Sequence, residues 1–108
     1  MTEPIHFTNS EPLSALLLQH PNVILDFWAP WCAPCNQLSA VLKQLAANNP
    51  SVTVLKVNAD DFPEIAAKHN VRGLPTLVFY KNAAPQATKV GSIPLPLLQQ
   101  LSTAYLGV

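Results

Sequence analysis

The chain has 108 residues, six basic and six acidic side chains, and a formal net charge of zero at neutral pH. This length is enough for one hydrophobic core, so we expect a single domain over residues 1–108. Because Arg72 is the only arginine and no cluster of basic residues is present, the sequence excludes nucleic acid and anionic membrane surfaces as predicted partners.

The N-terminal third of the sequence predicts a short strand, a helix and a buried strand. Residues 5–7 predict a short strand, and Ser10 can cap a helix with an inward face made of Leu13, Leu16 and Leu17. Residues 22–28 form a nearly continuous apolar run between two prolines. Such a run is typical of a central strand that is covered on both faces.

The middle of the sequence predicts a helix followed by a second strand. Apolar residues recur at helical spacing over residues 34–48, and residues 49–50, Asn-Pro, end the pattern. Residues 52–57 are the next strand candidate. Strand, helix and strand at this spacing predict a parallel pair joined by a right-handed crossover, which places the residues after the first strand at the carboxyl edge of the sheet.

The last third predicts a helix, a hairpin and a closing helix. Asp61 and Glu64 have the spacing of a capping box, which predicts a short helix that ends near residues 69–70. Residues 77–80 predict a strand, residues 81–86 a turn, and residues 87–90 an antiparallel edge strand. The closing helix tolerates its two prolines only in the first turn. The whole pattern predicts an α/β fold with a mixed sheet and helices on both faces.

Cys32 and Cys35 are the only cysteines, and they stand where the predicted central strand gives way to a helix. A thiol at a helix start meets unpaired N–H groups and the positive end of the helix dipole, both of which favour the thiolate. Cys32 is therefore the predicted nucleophile, and Cys35 is close enough to resolve a mixed disulfide. The alternatives are a passive buried pair or half of a zinc site, but no second Cys or His pair at ligand spacing supports them.

Asp26 interrupts the apolar run of the central strand. Burial would strip its carboxylate of water, so we predict a raised pKa and a role as a base. The alternative is a half-exposed strand residue with an ordinary pKa. Lys56, on the neighbouring predicted strand, is a candidate to share this charge environment, and the alternative is a lysine on a solvated face.

Two observations bear on compartment and cofactor. A lone Cys-x-x-Cys pair is typical of catalysis in a reducing compartment, and residues 1–6 lack the pattern of a secretory leader, so we predict a cytoplasmic protein. His6, His20 and His69 are scattered along the sequence, which predicts surface or helix-end roles. No bound cofactor and no metal are predicted.

Four segments of the chain together resemble the thioredoxin family: residues 26–35, 56–60, 71–76 and 90–91. The resemblance implies the thioredoxin fold, with a central five-stranded mixed β-sheet flanked by four α-helices. It also implies reduction of disulfide-bearing protein substrates by dithiol–disulfide exchange and regeneration by a thioredoxin reductase. In the family the aspartate at position 26 helps to deprotonate the resolving thiol, here Cys35. We expect a monomer.

The resemblance further implies a substrate-binding rim around an exposed Cys32 sulfur, formed by Trp31, Leu74, Pro75, Gly91 and Ser92. It implies a cis peptide bond before Pro75, although sequence alone favours trans, and a free Leu74 backbone that pairs with an extended substrate. For Trp31 the alternative is a place in the core. For Gly91, close approach of a neighbour and an ordinary strand end both remain open.

Three positions depart from the family pattern. Ala33 replaces the glycine of the usual Trp-Cys-Gly-Pro-Cys motif, so Ala33 and Pro34 are candidate modulators of the redox potential. Ala40 stands where many members have a helix-kinking proline, which predicts a straighter second helix. Ala83 replaces a common hairpin glycine and leaves Asn82 as the residue most able to take a positive φ.

The leading hypothesis is therefore a protein-disulfide reductase of the thioredoxin type. The alternative is a redox-inactive or specialised binding or chaperone module that keeps the fold and holds partners on its apolar rim.

Overall fold

The computed structural model describes residues 3–108. Met1 and Thr2, part of the segment used to predict that a secretory leader is absent, lie outside the described residues. Strands and helices follow one another in the order β1 (Ile5–His6), α1 (Leu13–Gln19), β2 (Asn22–Trp28), α2 (Ala33–Asn48), β3 (Thr53–Asn58), α3 (Pro63–Lys68), β4 (Thr76–Lys81), β5 (Ala84–Val90) and α4 (Leu95–Leu106). The predicted thioredoxin fold, a mixed sheet with helices on both faces, is confirmed.

The five strands lie in the order β1-β3-β2-β4-β5. β2 pairs with β3 in parallel and with β4 in antiparallel orientation, so it is the central strand that its apolar run predicted. Asp26 of β2 lies opposite Lys56 of β3 in this register. The segment that follows β2 leads directly into α2, at the carboxyl end of the central strand.

Alternate side chains of the strands belong to two hydrophobic clusters, one on each face of the sheet. Ile24 and Val54 pack in one cluster with buried side chains of α2 and α4. Val23, Leu25 and Phe27 pack in the other cluster with side chains of α1 and α3. By this alternation Asp26 and Trp28 of β2 and Lys56 of β3 lie on the face that α2 and α4 cover.

The two predicted side-chain helix caps were wrong. α1 begins after Pro12, and the Ser10 hydroxyl accepts a hydrogen bond from Thr8 instead. α3 begins at Pro63, which suits the first helical position because its ring fixes φ and the N–H it lacks would have no helical partner. Asp61 therefore lies one residue too early to cap α3.

The hairpin between β4 and β5 is tighter than the predicted turn over residues 81–86, because β5 already begins at Ala84. Asn82 takes a positive φ of 50° as predicted, but Ala83 also does, with φ 65°. Two adjacent residues of positive φ match the twist of a two-residue hairpin turn. Pro85 is accommodated because β5 is an edge strand.

α2 runs without interruption from Ala33 to Asn48 and passes through Ala40 as regular helix. Leu38, Leu42 and Leu45 are its buried leucines, which confirms the helical spacing read from the sequence. Ala40 keeps the backbone N–H that a proline would remove, so this position does not require a break in the helix.

Candidate active site

Cys32 and Cys35 form a disulfide at the N-terminus of α2, with their Cα atoms 5.2 Å apart. Cys32 is the N-cap residue, and its sulfur accepts the backbone N–H of Cys35 at 3.2 Å. The Cys32 carbonyl accepts the N–H of Asn36 and so begins the hydrogen bonding of the helix. The predicted contact between this sulfur and unpaired N–H groups at the helix start is confirmed.

The predicted exposure of the Cys32 sulfur was wrong for the disulfide form. Cys32 keeps an exposed fraction of 4 % and Cys35 one of 2 %, so both residues are buried. The physical reason is that the disulfide holds the two sulfurs together, while Trp28 and Leu74 pack against the pair. Leu74 comes from a distant loop, so the sequence around the cysteines could not predict its contact with them.

Asp26 is buried in the middle of β2, with an exposed fraction of 1 %. Neither carboxyl oxygen has a hydrogen-bond partner within residues 3–108. Loss of hydration raises the pKa of Asp26 to about 6, against a smaller lowering effect of the positive charge on Lys56. The predicted raised pKa is confirmed, and the alternative of a half-exposed residue was wrong.

Lys56 is also buried, and its ammonium group has three neighbours. It donates a hydrogen bond to the Ser39 hydroxyl at 2.7 Å and lies 3.9 Å from Oδ2 of Asp26. It also lies 5.3 Å from the centre of the Trp28 ring, within the range of a cation–π contact. Lys56 shares the charge environment of Asp26 as predicted, and the solvated-face alternative was wrong.

The loop before β4 carries the cis peptide bond between Leu74 and Pro75 that the resemblance implied. Leu74 is half-buried against the cysteines. Pro75 is buried, so it contributes little to the rim surface, but its carbonyl accepts the N–H of Gly91 at 2.9 Å. This hydrogen bond joins the two loops that were predicted to form one rim.

Gly91 needs glycine for its backbone conformation. Its φ of 99° lies in a region that L side chains rarely adopt, whereas a Cβ built there would meet no atom within 4 Å. The close-approach interpretation was therefore wrong, and a strand end with positive φ replaces it. Ser92 follows as an exposed residue, as expected of a rim position.

Trp31 is exposed over 71 % of its surface, so the alternative that it fills the core was wrong. Its indole Nε1 donates a hydrogen bond to Oδ2 of Asp60 at 3.0 Å. This bond fixes a large apolar surface immediately before Cys32. Ala33 and Pro34 occupy the exposed first turn of α2, directly after the N-cap sulfur.

Two site residues were not found by sequence reasoning. Ser39, the partner of Lys56, is a polar residue one helical turn after Cys35, and its polarity among the apolar residues of α2 was the available signal. The second is Asp60, which lies directly before the predicted α3 capping box. Its pairing with Trp31 joins residues 29 positions apart, which no local pattern indicates.

The predicted helix-end roles of the histidines are met at two positions. His20 and His69 are the C-cap residues of α1 and α3.

Over residues 3–108, no group of three or more His, Cys, Asp or Glu side chains is placed to hold a metal ion. Among the described helices, none combines the length and the apolar character that crossing a bilayer requires.

A cysteine disulfide at a helix N-terminus, a buried carboxyl on the central strand and a cis-proline loop against the cysteines define a thiol–disulfide oxidoreductase of the thioredoxin fold. The model of the Thioredoxin family matches residues 4–103, and the chain belongs to this family. Its redox chemistry is carried by the cysteine pair itself and needs no bound cofactor.

Individual thioredoxins are similar to the chain over most of its length. A thioredoxin of Rhodospirillum rubrum is 47 % identical over 75 residues, which cover 68 % of this chain and 71 % of the relative. A thioredoxin of Haemophilus influenzae is 38 % identical over 95 residues, which cover 87 % and 89 %. The solved structure of a mutant thioredoxin from Halobacterium salinarum matches with a TM-score of 0.89 and 29 % identity, over 98 % of this chain and 93 % of that one.

Proposed function

We propose that this thiol–disulfide oxidoreductase reduces disulfides of other proteins, with Cys32 as the nucleophile and Cys35 as the resolving thiol. The observation that supports these roles is the hydrogen bond from the Cys35 N–H to the Cys32 sulfur at the start of α2. In the reduced protein the same N–H and the helix dipole favour a thiolate at Cys32. Cys35 lies inside the first turn of the helix and is buried.

The reaction proceeds in two exchange steps. The Cys32 thiolate attacks one sulfur of the substrate disulfide, which forms a mixed disulfide and releases the other substrate sulfur as a thiolate that takes up a proton. Cys35 then loses its proton and attacks the Cys32 sulfur. The mixed disulfide breaks, the second substrate sulfur leaves as a thiolate that takes up a proton, and two electrons have passed from the cysteine pair to the substrate.

Asp26 is the proposed base for Cys35, and Lys56 its charged neighbour. A carboxyl group with a pKa of about 6 is largely ionised at neutral pH, so it can accept a proton there. Both of its oxygens are without hydrogen-bond partners in the described chain, so neither is committed to a structural contact. Lys56, 3.9 Å away, tunes how readily this carboxyl ionises.

The proposed substrate surface consists of Trp31, Leu74, Gly91 and Ser92, with the buried Pro75 supporting it through its hydrogen bond to Gly91. Its support is the packing of Leu74 on the cysteines and the hydrogen bond between the Pro75 and Gly91 loops. A flexible, extended segment of the substrate pairs with the Leu74 backbone, while Trp31 contributes apolar contact area. Because Cys32 keeps little exposure in the disulfide form, we expect the substrate segment to approach it between Trp31 and Leu74.

The physiological setting is part of the proposal. A thioredoxin reductase returns the disulfide to the dithiol, so the protein acts in electron transport and cell redox homeostasis. We place it in the cytoplasm as a monomeric single domain. The support is its family membership and the presence of only two cysteines, both in the redox pair.

Disulfide reduction of insulin tests these assignments, first with dithiothreitol and then with a thioredoxin reductase and NADPH. Cys32→Ser should abolish turnover, whereas Cys35→Ser should accumulate a mixed disulfide with the substrate. Normal turnover by Cys32→Ser would refute the nucleophile assignment. Activity with dithiothreitol alone would identify another electron donor, and retention of unfolded protein without turnover by the parent would favour the binding or chaperone module.

The base assignment has its own test. The turnover of Asp26→Asn should fall and lose the ionisation step near pH 6 that we expect for the parent. An unchanged pH profile would remove Asp26 from the mechanism.

A further inference from the structure

The ammonium group of Lys56 is held by a side chain of α2 at a short distance from the buried carboxyl. Its hydrogen bond to Ser39 is 2.7 Å long, whereas its distance to Oδ2 of Asp26 is 3.9 Å, beyond hydrogen-bond range. A carboxylate is a stronger acceptor for an ammonium group than a hydroxyl is. The observed geometry therefore favours the weaker of two available acceptors.

Ser39 is placed to keep this arrangement. It lies four residues after Cys35 on α2, hence on the same side of the helix, and it is half-buried. The register of β2 and β3 sets Asp26 directly beside Lys56, so the lysine stem does not have to move for its tip to choose between the two acceptors.

We propose that Ser39 is a positioning residue, whose hydroxyl keeps the Lys56 ammonium group from pairing directly with the Asp26 carboxyl. The inference rests on the proposed role of Asp26 as the base for Cys35. A direct ion pair would stabilise the carboxylate and make it a weaker base. The serine thus preserves the ability of Asp26 to take up a proton near neutral pH.

The other charged groups near this cluster are few. A cavity of about 290 Å³ borders Lys56 and is lined by Glu3, Pro4, His6, Ser39, Lys43 and Lys56. Glu3 and His6 face it from the β1 side and Lys43 from α2, while the residue opposite Asp26 on β4 is the apolar Leu77. Of these groups, Lys56 is the one whose charge acts on the Asp26 carboxyl, and it lowers the Asp26 pKa.

The test is the titration of the Asp26 carboxyl, followed by NMR in the oxidised protein. In Ser39→Ala the ammonium group is free to close the gap to the ~2.8 Å of a charge-assisted hydrogen bond, which should lower the Asp26 pKa by about one pH unit. The low-pH limb of the disulfide-reduction profile should move by the same amount. Ser39→Thr keeps the hydroxyl and should titrate like the parent.

A double variant shows whether the effect passes through the lysine. Ser39→Ala combined with Lys56→Met should titrate like Lys56→Met alone, because no ammonium group remains to move. An Asp26 pKa that is unchanged or raised in Ser39→Ala, or that falls equally in both backgrounds, would overturn the inference. If the carboxyl titration shifts while the activity profile does not, Ser39 keeps its positioning role and the base assignment of Asp26 fails.

Discussion

The backbone N–H of Cys35 points at the sulfur of Cys32, 3.2 Å away, so the two redox partners are joined by a hydrogen bond as well as by their disulfide. In the proposed mechanism the dithiol form keeps this N–H beside the Cys32 sulfur, where it would stabilise the thiolate. If Cys32 is the nucleophile, as proposed, the backbone of the proposed resolving residue, Cys35, stabilises its negative charge.

Asp26 should make the protein less stable as the pH rises. The folded state binds the Asp26 proton more tightly than the unfolded chain, because burial raises its pKa from 3.8 to about 6. This contribution to stability is complete below pH ~4 and is lost as the pH rises through about 6, by up to ~3 kcal/mol. Asp26→Asn should therefore be more stable than the parent at pH 7, by denaturant unfolding. Asp61→Asn, at an exposed position, is the control, and a parent that gains stability between pH 4 and 7 relative to Asp26→Asn would contradict this account.

Trp31 should matter more for protein substrates than for small disulfides. Its exposed ring offers contact area beside Cys32, so Trp31→Ala should raise KM for insulin about fivefold and leave KM for a small aromatic disulfide nearly unchanged. Asp60→Ala should have a weaker effect in the same direction, because it frees the indole without removing it. Leu18→Ala, another exposed apolar residue, lies on α1 and serves as the control. Equal effects on both substrates would exclude a contact specific to proteins.

Ala83 carries a strained backbone that glycine would relieve. Its φ of 65° disfavours any residue with a Cβ, so Ala83→Gly should raise the free energy of unfolding by about 0.5–1 kcal/mol. Ala87→Gly in β5, where no positive φ occurs, should lower it instead. Urea unfolding of both variants decides the matter, and a loss of stability in Ala83→Gly would show that its half-buried methyl group outweighs the strain.

Ala33 should have a small influence on the redox potential. Its side chain is exposed in the first turn of α2, and it restricts the backbone in both redox states. We expect Ala33→Gly to shift the potential by no more than about 30 mV, measured by equilibration with glutathione. A much larger shift would indicate that alanine acts on one redox state only.

Local patterns were enough to predict β2, α2 and the cysteine pair. The apolar run of β2 and the leucine spacing of α2 reflect burial that each segment needs by itself, and the burial of Asp26 followed from its place in that run. The helix starts were less predictable, because Pro12 and Pro63 determine them in competition with nearby polar caps.

The contacts that complete the site come from residues far apart in sequence. Lys56 and Ser39 are 17 positions apart, and both had to be placed by the packing of α2 on the sheet before they could meet. The burial of Cys32 depends likewise on Leu74, which a distant loop supplies. Such pairings are decided by tertiary packing, so the local sequence around either partner contains no sign of them.

The two outer strands are poor templates for a foreign strand. β1 is only two residues long, and β5 carries Pro85, which has no N–H to offer a neighbour. An exposed sheet edge that could pair with another strand would carry a risk of aggregation. Because neither edge strand offers a long row of free N–H groups, pairing with an extended substrate is left to the proposed Leu74 site, where an exchange reaction would limit the lifetime of each contact.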